Sequence, residues 1–141
     1  MNQDVASAYR VARRESRRAS GLPVVYACSG CSSAGQMANY VAGELDRRGF
    51  AEMSCAAGLG GDVAPVLATA RAAAQIIALD GCPLSCARKC LERHGLVPDL
   101  HYVLTEHGVR DHDHRYFDRE HAERIIERIL GDLVSRAQLA C

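Results

Sequence analysis

The 141-residue chain has no surplus of charge: 17 Lys and Arg stand against 17 Asp and Glu. A protein that neutralises many phosphates carries a basic excess, so nucleic acid is not an expected partner. No apolar run approaches the roughly 20 residues of a membrane span, and no segment reads as a secretory h-region. The expectation is therefore a reducing, cytoplasmic setting with no membrane partner. Internal repeats and low-complexity tracts are missing as well. So are the G-x-x-x-x-G-K-[ST] loop, the G-x-S-x-G elbow and the H-E-x-x-H helix, which removes the familiar nucleotide, serine-nucleophile and zinc-hydrolase motifs. With no nucleophile–base pair in view, binding is expected rather than catalysis.

What the chain has in quantity is cysteine, seven in all. The number is odd, the residues sit beside glycines, and 48% hydrophobic content suffices for a core without staples. In a reducing compartment such clustering points to metal or redox chemistry. Residues 1–20 differ from the rest, with Arg10, Arg13, Arg14, Arg17 and Arg18 against only Asp4 and Glu15 as acids. They read as a solvated basic extension, with docking to an acidic protein partner as the alternative. The domain proper is expected over residues 21–141.

From Pro23 the pattern alternates. Val24 to Ala27 reads as a strand, followed by a helix with Met37, Val41 and Leu45 on one side and Gly49 beyond its end. Ala51 to Ser54 is a weaker strand. Gly58, Gly60 and Gly61 then lead to a helix with Asp62 as N-cap, Pro65 in its first turn and a stripe of Val63, Val66, Leu67, Ala70 and Ala74. A third strand, Ile76 to Leu79, precedes a helix opened by Pro83 and closed by Gly95. A fourth, Leu100 to Thr105, precedes a polar loop and a last helix from about Asp118. Its stripe of Ile125, Ile126, Ile129, Leu130, Leu133 and Val134 is wide enough to cover the sheet or to meet a protein partner. Four strands alternating with four helices give an α/β domain: a mostly parallel four-stranded sheet with helices on both faces, in Rossmann-like layers.

In such a sheet ligands gather beyond the carboxyl ends of the strands. Cys28, Cys55 and Cys82 each follow a strand, so a parallel sheet brings them to one edge. Cys82, Cys86 and Cys90 are spaced by four, which in a helix places them on one face. Cys28, Cys55, Cys82 and Cys86 make a four-thiolate set suited to zinc. Donors for its negative charge are the amides of Gly30, Gly35, Gly58, Gly60, Gly61 and Gly81, with Arg88 and Lys89 nearby. Cys28-Ser29-Gly30-Cys31 raises the alternative of dithiol redox chemistry, and six cysteines that of an iron–sulfur cluster. Cys31 and Cys90 are secondary metal or redox candidates. For Cys86 and Cys90 the plain alternative is packing as small apolar side chains. His107, at the end of the fourth strand, is a weaker ligand candidate. His112 and His114, alternating with Asp111 and Asp113, read as a solvated loop. Asp80 reads as a turn organiser, Gly58 to Gly61 as a weak anion cradle, and Cys141 as a thiol without function.

Three ordered blocks carry a resemblance. Tyr26 to Asn39, Met53 to Gly61, and Asp80 to Glu92 resemble the DGC-domain family, named for an Asp-Gly-Cys motif that stands here as Asp80-Gly81-Cys82. The likeness runs from about Pro23 to Gly108. It implies zinc held by four cysteines, which by motif position are Cys28, Cys55, Cys82 and Cys86. The basic segment and the last helix lie outside it.

Overall fold

A computed structural model describes residues 21–140; the basic segment 1–20 and Cys141 lie outside the described residues. Four strands form one parallel sheet in the order β2-β1-β3-β4. They are β1 (Val24–Ala27), β2 (Glu52–Met53), β3 (Ile76–Asp80) and β4 (Leu100–Val103). The central pair is buried on both faces, which is why β1 and β3 read as continuous apolar runs. Helix α1 (Ser33–Arg47) follows β1, and two short helices, α2 (Ala56–Gly60) and α3 (Ala64–Ala72), follow β2. Helix α4 (Cys86–Glu92) follows β3, and a 3₁₀ turn, Leu104–His107, follows β4. Helix α5 (Arg119–Leu139) comes last. The α/β expectation holds.

The alternation of side chains along β1 and β3 separates two apolar layers. Val25, Ala27, Ile77 and Leu79 face α1 and α5, where Met37, Val41, Leu45, Ile125, Ile126 and Ile129 fill the larger core. Val24, Tyr26, Ile76 and Ala78 face the other way, against Leu59 of α2, Ala70 of α3 and Leu91 of α4. Among the described residues no helix is long and apolar enough to cross a membrane.

Local chemistry shifts several expected boundaries. Most of Gly58 to Gly61, read as a glycine loop, lies in a helical turn, Ala56–Gly60. Gly58 belongs there because a Cβ would lie 2.7 Å from the Val66 side chain, so α2 and α3 close on each other. Asp62 is not an N-cap; its backbone is left-handed, at φ 57°, and its carboxylate pairs with Arg93 at 3.0 Å and His94 at 3.3 Å. Helix α3 is capped by Val63 without a side-chain bond. Val63 and Ala74, expected in its buried stripe, are exposed.

The helix expected from Pro83 starts at Cys86. Ser85 interrupts it with φ 52°, a left-handed conformation that is uncommon outside glycine. Cys82 thus lies in the turn before α4, and only Cys86 and Cys90 share a helix face. Strand β4 also ends early, its last expected residues winding into the 3₁₀ turn. In α5, Ile125, Ile126 and Ile129 are buried as predicted, while Val134 is 58% exposed beyond the sheet.

Candidate metal centre

The strand order reverses between β1 and β3, the position where open α/β sheets form a crevice. Cys28 leaves β1 with its amide bonded to the Leu79 carbonyl at 2.9 Å, continuing the ladder one residue past the strand. Its sulfur accepts the Gly81 amide at 3.0 Å. Burial pushes the Cys28 thiol up to about 11; the Gly81 bond opposes this, and the charges of Asp80, Cys86 and Cys82 add to it. Without a cation beside it, Cys28 is a protonated thiol at neutral pH.

The Asp-Gly-Cys block divides three tasks among three residues. Asp80, 1% exposed, accepts the amides of Ala87 at 2.7 Å and Arg88 at 3.2 Å, filling the donor end of α4. Its second oxygen also meets His101 Nε2 at 2.9 Å. These α4 amides therefore serve Asp80 rather than a cysteine sulfur. Gly81 lies against the start of α1: a Cβ there would stand 2.6 Å from the Ala34 carbonyl carbon and the Gly35 nitrogen. Only glycine fits that approach. Cys82, half-buried, then turns out of the sheet, with its carbonyl accepting the Ser85 amide at 3.1 Å.

Cys55 stands just past β2, whose end is held by the Met53 amide on Asp46 at 3.1 Å and the Ser54 amide on the Val25 carbonyl at 3.0 Å. Its sulfur caps α2 by accepting the Gly58 amide at 3.3 Å. Of the glycine amides expected to face sulfur, those of Gly58 and Gly81 do so; the Gly35 amide goes to Ser32 Oγ and that of Gly61 to the Ala57 carbonyl. Arg88 pairs instead with Glu92, at 3.2 Å.

Two adjoining clefts open at this edge. One, of about 300 Å³, is lined by Cys28, Cys31, Cys82 and Cys86, with Asp80, Asp111 and Asp113. The other, of about 650 Å³, is lined by Cys28, Cys55, Cys86 and Cys90, with Asn39 and Asp46 among its polar groups. Cys28 and Cys86 border both. Among the described residues, no Lys, Arg or His lines either cleft. All six described cysteines are free thiols, and Cys31, Cys55 and Cys86 are exposed. Cys90 is half-buried, packing in part against the smaller apolar layer and lining the larger cleft.

Among the described residues, no group of three or more His, Cys, Asp or Glu side chains is arranged to hold a metal ion. The donor chemistry nevertheless fits zinc or another thiophilic cation: sulfur ligands in number, acidic neighbours and no competing cationic side chain. It does not fit an anion. The amides at the start of α1 are already taken, Ser33 by the His112 carbonyl at 2.8 Å and Ala34 by Asp111 Oδ1 at 3.2 Å. The loop supplying these acceptors is fastened further by Ser33 Oγ, which donates to the Arg110 carbonyl and accepts the His112 amide.

That loop carries His112 and His114 on the surface, as expected, and brings Asp113 to 4.0 Å from Cys31 Sγ. His107 closes the 3₁₀ turn with its ring beside Tyr102, centroids 5.9 Å apart, and lines neither cleft. Two supporting residues escape sequence reasoning. His101 carries the signal of a titratable side chain on an inward position of a strand. Asp111 carries none, because its role depends on a loop folding back over α1.

Residues 24–129 match the DGC domain. The anaerobic and virulence modulator AnvM of Pseudomonas aeruginosa is 51% identical over 112 residues, covering 77% of this chain and 86% of that protein. No solved structure matches the chain. With three quarters of its length inside the match, and with Asp80, Gly81 and Cys82 in the structural roles described, the chain belongs to the DGC-domain family.

Proposed function

We propose that this protein binds zinc through Cys28, Cys55, Cys82 and Cys86 and serves in metal handling or sensing. One observation carries the reading: thiols from the ends of three strands line two adjoining clefts that no cationic side chain of the described residues borders. Cys28, Cys55 and Cys82, just past β1, β2 and β3, with Cys86 at the start of α4, would hold the ion, which would favour the thiolate form of each ligand. The Gly81 and Gly58 amides, already on the Cys28 and Cys55 sulfurs, stabilise that charge. Exposure of Cys55 and Cys86 supports an ion that can exchange, as handling or sensing requires, rather than one sealed in. The name of the Pseudomonas relative describes that protein as a modulator, which agrees with a sensing role here.

Thiol redox or iron–sulfur electron transfer is the second reading, on the same cysteines. It draws less support, because Cys28 in the Cys28–Cys31 pair is pushed up to about 11 whereas an attacking thiol is favoured by a pKa near ambient. The test is elemental analysis of full-length protein purified without oxygen, together with a free-thiol count. About one zinc or more per chain, with thiols protected until a chelator is added, supports the proposal. Iron with sulfide, or no metal with thiols that pair on mild oxidation, would move the assignment to the second reading.

A further inference from the structure

Cys28 and Cys86 border both clefts, whereas the other four cysteines divide evenly: Cys31 and Cys82 to the smaller cleft, Cys55 and Cys90 to the larger. Each cleft therefore has four cysteines on its wall, and the six residues make two sets of four by sharing two. A tetrahedral thiophilic ion takes four sulfur ligands, and a cysteine sulfur can bridge two ions. Six thiolates around two ions, two of them shared, is an established arrangement in zinc modules. We propose that the six cysteines form a two-metal thiolate centre in which Cys28 and Cys86 bridge, Cys31 and Cys82 complete one ion, and Cys55 and Cys90 complete the other.

This rests on the metal-binding reading above and extends it by an ion and two ligands. Charge favours the extension. Four thiolates around one divalent ion leave two negative charges, and six around two ions leave the same two. The second ion thus engages Cys31 and Cys90 at no added charge, in clefts where no cationic side chain of the described residues offsets any. Position favours it as well. Cys90 directs its sulfur toward α2, where a Cβ on Gly60 would stand 3.5 Å from it, so Cys90 faces the element that Cys55 caps. Cys31 borders the other cleft, its sulfur 4.0 Å from an Asp113 oxygen that lines the same cleft.

The experiment loads full-length, reduced protein with cadmium-113 in the absence of oxygen and removes loose ion by gel filtration. The expected result is about two ions per chain, giving two cadmium resonances coupled through sulfur. The double variant Cys31→Ser/Cys90→Ser should lose at least one ion or bind it at least tenfold more weakly, with its circular dichroism unchanged. Cys31→Ser alone, at an exposed thiol, should weaken one ion only and guards against a folding defect in the double variant. One ion per chain in the parent, unchanged in both variants, would overturn the two-metal centre and leave the four-cysteine zinc reading standing. Two resonances without coupling would overturn the bridging. No uptake of cadmium would overturn both readings.

Discussion

The two faces of the sheet are unequally built. Toward α1 and α5 the apolar cluster has eighteen buried residues; toward α2, α3 and α4 it has seven. The thicker face has two long helices, of 15 and 21 residues, whereas the helices of the thinner face have 5, 9 and 7. Helices that short are not stable by themselves and depend on what they pack against. The thinner face also carries Cys55, Cys82, Cys86 and Cys90, on or beside those short helices. On the metal-binding reading proposed here, the lesson is a division of labour: apolar burial secures one face, and thiolate ligation completes the other.

Removing metal should break this comparison most sharply. A closed thiolate site contributes on the order of 10 kcal/mol to folding in small zinc modules, more than any single contact here. Chelation of loaded protein should therefore raise amide exchange in α2, α3 and α4 by orders of magnitude while α1 and α5 change far less, as read by hydrogen-exchange mass spectrometry. Equal loss on both faces would refute the division.

Core truncations come next. Ile129→Ala on the thick face and Leu91→Ala on the thin face each remove a fully buried side chain, at about 2–5 kcal/mol. Thermal melts should show Ile129→Ala lowering Tm equally in metal-free and loaded protein. Leu91→Ala, by loosening α4 and its two cysteines, should also weaken metal binding. Gly81→Ala sharpens the point at the junction of the faces. Its Cβ would meet the α1 backbone, which cannot yield as a side-chain tip does, so a loss of about 2 kcal/mol or more is expected, together with weaker zinc binding.

The smallest effect concerns pH. In metal-free protein the Cys28 thiol lies above its ordinary 9.0, at about 11. The folded state then holds that proton more tightly than the unfolded chain does. Its contribution is complete below pH 9 and declines as pH rises toward 11. Alkylation of metal-free protein should accordingly leave Cys28 the slowest described thiol at pH 8 and accelerate it toward pH 11.

Much of this architecture was legible in the residues. The continuous apolar runs at Val24–Ala27 and from Ile76 to Leu79 announce strands buried on both faces, and the spacing of Met37, Val41 and Leu45 announces α1. Parallel pairing then brings Cys28, Cys55 and Cys82 to one edge. What stayed hidden depended on contacts across the fold. The start of α4 is set by the Asp80 carboxylate on Ala87 and Arg88, so the proline-in, glycine-out pattern began it too early, at Pro83. Composition suggested a loop at Gly58–Gly61, yet the Cys55 sulfur and the closeness of Val66 wind it into a helix. The sharing of Cys28 and Cys86 between clefts is likewise a property of placement, since spacing in sequence gives no hint of it.

The most direct test of the central claim, that thiolates at this sheet edge hold zinc, is zinc-edge X-ray absorption on full-length protein purified without oxygen. The account predicts four sulfur neighbours at about 2.3 Å and no nitrogen or oxygen in the first shell. A first shell of nitrogen and oxygen, or protein that carries no zinc and acquires none when the ion is supplied, would contradict it.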